Sequence, residues 1–489
     1  MYKYFTLILL AMTISSVAQM PGIGWQKRYG SGADAASCII RTTNGDFVTC
    51  GKRRQQVGSA ARENGHVARI SPNGDLLWTY DFGGNGDDYL ESVVQLDNGG
   101  FFAIGYADLG EQNYQYFVWG VWLDADGNLI NSQFFGPTEY SNIGMGLAVK
   151  KTTDGGFVVC GQKGGNFFLM KLNAAGQIAF EQTYTPSIGK SRALDIIETS
   201  TGDFVLCGTG SSVQYANGNQ LALVVKTNAQ GALLWTATLN ENGDEWYNKI
   251  REDANGNYIL AGNTYSNDGQ LSGNHGSSDG LVSKITASGN FVWHRTIGGS
   301  SGEIFKSLLI APDGGYYLAG QTTTLNDGQV FGNHSANTSQ ADVYLVKTDS
   351  EGNFEWSGCY GGSQFEQAYD MTYNVSGQLV VSGYAASSDG QVETSNIGRS
   401  WVLKLGENLS DKDHSLRAVI YPNPVADELH FSSDGIPFES ASIFDVNGRL
   451  LKIAKGSISS LDVSDLTSGI YVLECKGGNS VLRSKFVKR

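Results

Sequence analysis

The chain has 489 residues, long enough for two to four domains or one large repeat array. With 41% hydrophobic and 17% charged residues its composition is that of a folded soluble protein. A net charge of −14 argues against nucleic acid and anionic lipid as partners, because both need basic patches.

The first residues read MYKYFTLILLAMTISSVAQ, one lysine ahead of an apolar run closed by Ser16 and Ala18. This predicts a secretory signal peptide over residues 1–18, too short to span a bilayer stably, with Gln19 as the first mature residue. Gln19, not a cysteine, directly follows the predicted cleavage site, and no later stretch is long and apolar enough to cross a membrane.

From there to about residue 406 one phrase returns seven times: NGDFVTCGK, NGGFFAIGY, DGGFVVCGQ, TGDFVLCGT, NGNYILAGN, DGGYYLAGQ and SGQLVVSGY. Its closing glycines are Gly51, Gly105, Gly161, Gly208, Gly262, Gly320 and Gly383. Seven copies with a period near fifty residues mean a repeat architecture. Five copies carry Asn-Gly or Asp-Gly between β-branched and aromatic runs, which predicts a hairpin with a type I′ turn. About twenty residues on, a second phrase supplies two more strands around a glycine turn, as in LALVVKTNAQGALLWTATL. Trp78, Trp235, Trp293 and Trp356 share one position there, replaced by Phe180 and Asn131 in two copies. Arg69, Lys171, Lys226, Lys284 and Lys347 share another.

Four strands per repeat, seven repeats and no helical period predict an all-β fold, a seven-bladed β-propeller over residues 19–406. The chain ends of this region support a closed ring. GIGWQKRYGSG, with Trp25, is a fourth strand without its third, and SWVLKLGENLS, with Lys404, is a third without its fourth. The Trp is read as a packing anchor on the outermost strand, and the recurrent cation as lying along the sheet with its head solvated. Cys50, Cys160 and Cys207 occupy a slot filled elsewhere by Ile104, Ala261, Ala319 and Ser382, so they are expected as buried thiols. Cys38 and Cys50 face each other across a hairpin, where a cross-strand disulfide is the alternative. Cys359 and Cys475 are expected as buried thiols.

Two loop sets should share one face of such a ring. One is long and variable. The other places Asp88, Glu139, Glu245, Glu303 and Glu366 beside aromatics, among them Tyr89, Tyr140, Trp246 and Tyr247. These acids and aromatics are the candidate ligand-binding residues, with Tyr140, Trp246 and Tyr247 as exposed faces for a sugar or peptide. The alternative is that the acids satisfy turn N–H groups and the aromatics pack between blades. NDGQ(L/V)xGNH occurs at 267–275 and 326–334; its Asp268, Asn274 and Asp279, or Asp327, Asn333 and Asp342, could offer oxygens to Ca²⁺, but Asx turn chemistry explains them better. No cofactor is otherwise expected. His275 and His334 are expected as loop residues. No catalytic motif is present and the six histidines are scattered, so no catalytic residue is assigned.

A polar linker over residues 407–416 leads into alternating strands with Asn-Gly, Ser-Gly and Gly-Gly turns, predicting a small Ig-like β-sandwich over 417–489. Tyr421-Pro422-Asn423-Pro424, IFDVNGRLL around Gly448 and Arg449, LTSGIYVL around Gly469 and Tyr471, and the basic end KFVKR with Lys488 resemble the type A C-terminal sorting domain of the Bacteroidetes type IX secretion system. The resemblance implies passage through the periplasm to the cell surface or the medium, with the secretion machinery as a partner. The repeats also resemble those of secreted Bacteroidetes proteins and, loosely, quinoprotein propeller repeats; no vicinal cysteine pair accompanies them, so no quinone is carried over. The expected function is a binding module for an extracellular glycan or protein. The alternative is a propeller enzyme, a polysaccharide lyase or hydrolase.

Overall fold

The computed structural model describes residues 20–30, 34–57, 60–84, 86–108, 116–135, 144–186, 189–211, 219–393, 399–406, 419–421, 423–432, 438–444, 450–477 and 480–489. The predicted signal peptide, Glu139, Tyr140, the predicted linker 407–416, Pro422, Gly448 and Arg449 lie outside the described residues. The chain divides into two compact units, Met1–Gly406 and Glu407–Arg489.

The first unit is built of four-stranded antiparallel sheets, seven among the described residues, consistent with propeller blades. Six are consecutive in sequence. Their first strands are Ala35–Arg41, Asp88–Gln95, Gly144–Lys151, Ser191–Glu198, Glu245–Glu252 and Glu303–Ile310. The seventh begins at Glu366–Tyr373 and takes its outer strand from the start of the chain: Ile23–Tyr29 pairs with Ser400–Leu405, Trp25 opposite Lys404. Each first strand packs against the first strands of the sheets before and after it, and that of the seventh sheet packs against that of the first.

The hairpins differ from the expected type I′. In all seven first hairpins the glycine N–H bonds to the carbonyl three residues earlier, as from Gly45 to Thr42 and from Gly155 to Thr152. The glycine is therefore the fourth residue of its turn, with φ from +76 to +93°. This is the three-residue loop in which a type I turn is followed by a left-handed glycine. Six second hairpins repeat it, from Gly74 to Gly352.

The recurrent cation also differs from expectation. Its head is not solvated but paired with a carboxylate of the first hairpin: Arg69 with Asp46 at 2.8 Å, Lys171 with Asp154 at 2.8 Å, Lys226 with Asp203 at 3.3 Å, Lys284 with Asp253 at 2.9 Å and Lys347 with Asp313 at 2.8 Å. The acid sits before the glycine in some turns and after it in others, so the aligned repeats conceal the pairing.

The outer aromatic joins sheets. A methyl group on Gly289, in the following sheet, would stand 2.9 Å from the Trp235 ring, and Trp235 donates its Nε1–H to the Ala287 carbonyl at 3.1 Å. Trp25, Trp78, Phe180 and Trp293 cover Gly74, Gly127, Gly231 and Gly352 in the same way. Where Asn131 replaces the Trp, its strand partner Trp122 covers Gly176 instead. All six cysteines are buried free thiols, Cys38 directly opposite Cys50.

In the second unit a three-stranded and a four-stranded sheet share one core that includes Val425, Leu429, Phe431, Ile443, Leu473 and Phe486. The motifs of the sorting signal meet on the last strand, Ser480–Lys488. Asn423 Oδ1 accepts the Val487 N–H at 2.9 Å, Gly469 pairs with Lys488, and the Tyr471 ring stacks on Phe486 at 5.7 Å. Tyr421 ends the short strand Val419–Tyr421.

Candidate functional site

Every first strand in the first unit carries the same irregularity. Its register against the second strand slips by one residue, between Ala36 and Cys38 in the first sheet, Leu90 and Ser92 in the second, and at the equivalent place in the other five. This is a β-bulge, which leaves one residue unpaired and re-aims its side chain. The closing glycine of the repeated phrase exists because of it. At Gly51, Gly105, Gly161, Gly208, Gly262, Gly320 and Gly383 an added Cβ would stand only 1.7 to 2.0 Å from a carbonyl oxygen of the bulging strand.

The seven bulge residues are Ser37, Glu91, Leu147, Leu194, Asn248, Lys306 and Tyr369, all half-buried. They line a single open cavity of about 340 Å³, together with Ala35, Tyr89, Lys249 and the residues just after two closing glycines, Lys52 and Tyr106. The cavity therefore opens on the face that carries the long loops. A second cavity of about 380 Å³ continues on the other side of the bulge level and shares Glu91, Leu147 and Lys249 with the first.

The second cavity is lined by an ion network, of which Lys249 also reaches the first. Arg251 Nη1 is 2.9 Å and Lys150 Nζ 3.6 Å from Asp195, while Lys249 Nζ is 3.4 Å from Asp370. Asp195 also accepts the Ile250 N–H at 3.2 Å, and Asp370 the Ile39 N–H at 3.3 Å, so each carboxylate clips its sheet to the next. Burial pushes both carboxyls up, but the surrounding cations outweigh it and hold them below the usual carboxylate range. Lys249 is held charged: burial lowers its pKa, and Asp370 and Asp195 more than restore it.

Above this level Glu91 accepts hydrogen bonds from Tyr106 and Ser37; burial nevertheless keeps its carboxyl raised. Tyr106 stacks on Tyr89 at 4.8 Å, and Lys52 lies 5.3 Å over the Tyr89 ring. Lys306 is lowered by burial first and by Arg192 next.

The residues predicted from the loops are placed differently. Asp88, Glu245, Glu303 and Glu366 are fully buried, each taking a backbone N–H from four residues earlier: Gly84 at 2.6 Å, Glu241 at 3.3 Å, Gly299 at 2.9 Å and Gly362 at 2.9 Å. In three sheets the other oxygen reaches the opposite loop, to Thr264, Thr322 and Ser387. These carboxylates clamp the two loop sets together. Asp34 holds the same place in the first sheet, accepting from Arg54 N at 3.3 Å, and was not singled out from sequence. Tyr247, expected to be exposed, is fully buried, with its hydroxyl on Ser283 at 2.8 Å. Trp246 is half-buried against Tyr265, and it is Tyr265, 45% exposed, that presents the open face. Among the described residues of the predicted set, only Tyr89 lines the bulge cavity.

The repeated NDGQ motif spends its oxygens on the backbone and on histidine. Asp327 accepts from Ser300 N at 2.7 Å and Asp268 from Asn242 N at 3.3 Å; Asp279 and Asp342 hold His275 at 2.6 Å and His334 at 2.8 Å. Asn274 and Asn333 donate to the Thr264 and Thr324 carbonyls. Among the described residues no three His, Cys, Asp or Glu side chains converge on a metal position.

Residues 419–489 match the family described as a secretion system C-terminal sorting domain. This marks the chain for export to the cell surface or beyond it, with the secretion machinery as a partner. Among the described residues no helix is long and apolar enough to cross a membrane. The Regulatory protein FlaEY of Caulobacter vibrioides is 29% identical over 169 residues, 33% of this chain and 18% of that protein, so the chain spans less than a fifth of that relative. Among solved structures, an ulvan lyase of a polysaccharide lyase family has a TM-score of 0.46 at 10% identity, over 78% of this chain and 96% of the lyase. PorZ, a surface component of the type IX secretion system of Porphyromonas gingivalis, has a TM-score of 0.27 at 10% identity, over 95% of this chain and all of PorZ.

Proposed function

We propose that residues 19–406 form a seven-bladed β-propeller closed by the strand Ile23–Tyr29, that an Ig-like sorting domain delivers it through the type IX route, and that the bulge cavity binds an extracellular glycan. One observation carries the binding role. The framework positions recur: the closing glycine in all seven sheets, the outer aromatic in six and the hairpin ion pair in five. The bulge position does not repeat: it is Ser, Glu, Leu, Leu, Asn, Lys and Tyr in turn. Symmetry is broken where seven side chains meet around one cavity, which is how a repeat scaffold is fitted to one ligand. Loop aromatics such as Trp246 and Tyr265 extend the contact surface.

A thermal-shift screen of the purified chain against extracellular polysaccharides tests the reading. A ligand at a hundred times its Kd adds about 2.7 kcal/mol to the folded state. Tyr369→Ala and Asn248→Ala should abolish the shift while leaving the unliganded melting temperature within a few degrees of wild type. Absence of a shift with every polymer would refute the binding role. Export is tested separately: a chain lacking residues 419–489 should remain in the periplasm.

A second reading, a propeller enzyme acting on that polymer, has one observation in its favour. Glu91 with its raised carboxyl, the Tyr106 hydroxyl bonded to it, and Lys306 stand in the same cavity, a grouping that suits proton transfer. Release of unsaturated or reducing ends from the bound polymer, lost in Glu91→Gln, would establish it.

A further inference from the structure

We infer that the bulge cavity recognises a carboxylate-bearing sugar, the uronic acid residue of an acidic glycan, and that Lys306 anchors its carboxylate; the inference rests on the glycan-binding reading above. In a chain of net charge −14, this cavity is lined by Lys52, Lys249 and Lys306 and by one carboxylate, Glu91. The three cations are not equivalent. Lys249 is committed to Asp370, 3.4 Å away. Lys52 lies over Tyr89 and reaches Glu63 at 3.9 Å. Lys306 alone of the three makes no ion pair or hydrogen bond with a described residue.

An ammonium removed from water without a partner is costly, and the cost is relieved when an anion arrives. Burial and the nearby charge of Arg192 already push the Lys306 amine down, and a bound carboxylate would reverse that. The same position in the other sheets carries Tyr369, which can donate to and accept from ring hydroxyls, and Ser37 and Asn248, which donate to Glu91 and to the Phe305 carbonyl at 2.8 Å and keep acceptor oxygens for them. Leu147 and Leu194 supply apolar contact for a sugar face. At about 340 Å³ the cavity is at the small end of ligand pockets, and it takes the end of a chain rather than a folded partner.

The test is titration calorimetry of the full chain at neutral pH with short oligomers of galacturonic, glucuronic and mannuronic acid. Each oligomer is compared with its methyl ester, which keeps the shape and removes the charge. At least one acid should bind about tenfold more tightly than its ester, the value of one hydrogen-bonded charge contact, and the preference should fall as salt rises. Lys306→Met should bring the acid down to the affinity of the ester, and Lys306→Arg should keep most of the preference. Equal binding of acid and ester to the wild-type chain would overturn the inference while leaving glycan binding intact. A preference that survives Lys306→Met would overturn the assignment of the anchor. Binding of short peptides through their terminal carboxylate, with no acid oligomer bound, would overturn the sugar. Failure of neutral and acidic glycans alike would overturn the inference together with the reading beneath it.

Discussion

Gly161→Ala isolates the relation between the repeated phrase and the cavity. A Cβ at Gly161 would stand 1.8 Å from the Met145 carbonyl oxygen. Carbon–oxygen contacts close at roughly 3.3 Å, so the shortfall is about 1.5 Å and falls on backbone. The strand can yield only by flattening its bulge, which withdraws Leu147 from the cavity and shifts the pairing of Ala148 with Cys160. A cost of about 4 kcal/mol is expected, at the extreme of single substitutions. The control is Gly155→Ala, six residues earlier. There φ is +81°, but no heavy atom lies within 4 Å of the added methyl, so the cost is the left-handed backbone alone, about 1 kcal/mol. Urea unfolding followed by tryptophan fluorescence, with the slope unchanged between variants, measures both. If Gly161→Ala loses no more stability than Gly155→Ala, the bulge is not what demands the glycine and the argument that the bulges aim seven side chains into one cavity fails.

Other consequences follow from single contacts. Asp253 is raised by burial, but the Lys284 ammonium outweighs this and holds its carboxyl below the usual range. Its contribution is therefore present above about pH 4 and lost as pH falls through the folded pKa. Asp253→Asn should cost about 1–2 kcal/mol at pH 7 and nearly nothing at pH 2.5, read from urea midpoints at the two values. Asp88 has the opposite sign. Burial pushes its carboxyl up to about 6, so it favours the fold below about pH 4 and that contribution is lost as pH rises through 6. Asp88→Asn should therefore gain stability relative to wild type between pH 4 and 7, by about 2–3 kcal/mol; a difference that stays flat across that range would refute it. Trp235→Ala uncovers Gly289 and frees the Ala287 carbonyl. It should cost about 2 kcal/mol, less than a fully buried Trp because the ring is half-exposed, with Trp293→Ala similar in thermal melts.

Much of the architecture is legible as local pattern, because it recurs or because it is a contiguous motif. The glycine-closed phrase, the outer aromatic, the orphan strands at the two ends of the repeat region and the sorting motifs all depend on neighbours in sequence or on the identical chemistry of seven equivalent places. The missed features are relations between segments. The period-2 alternation of a strand says which residues share a face only while the register holds, and one bulge moves every later side chain to the other side. The folded strands show the break: Ser92 and Val93, like Asp195 and Ile196, are consecutive buried residues where alternation would expose one. Without the slip the bulge residues Glu91, Asn248 and Lys306 pass for ordinary strand residues. The loop acids were open to two readings for a related reason. A carboxylate beside an aromatic and a turn has the same sequence whether it faces solvent or folds back onto the N–H four residues earlier, and only the closed loop geometry made the second arrangement available to Glu245, Glu303 and Glu366. The repeats thus determined that sheets of this kind form, and the C-terminal sorting motifs that the chain is exported; the tertiary structure decided which seven side chains meet, because that depends on the register of paired strands and on neighbouring sheets that no single repeat contains.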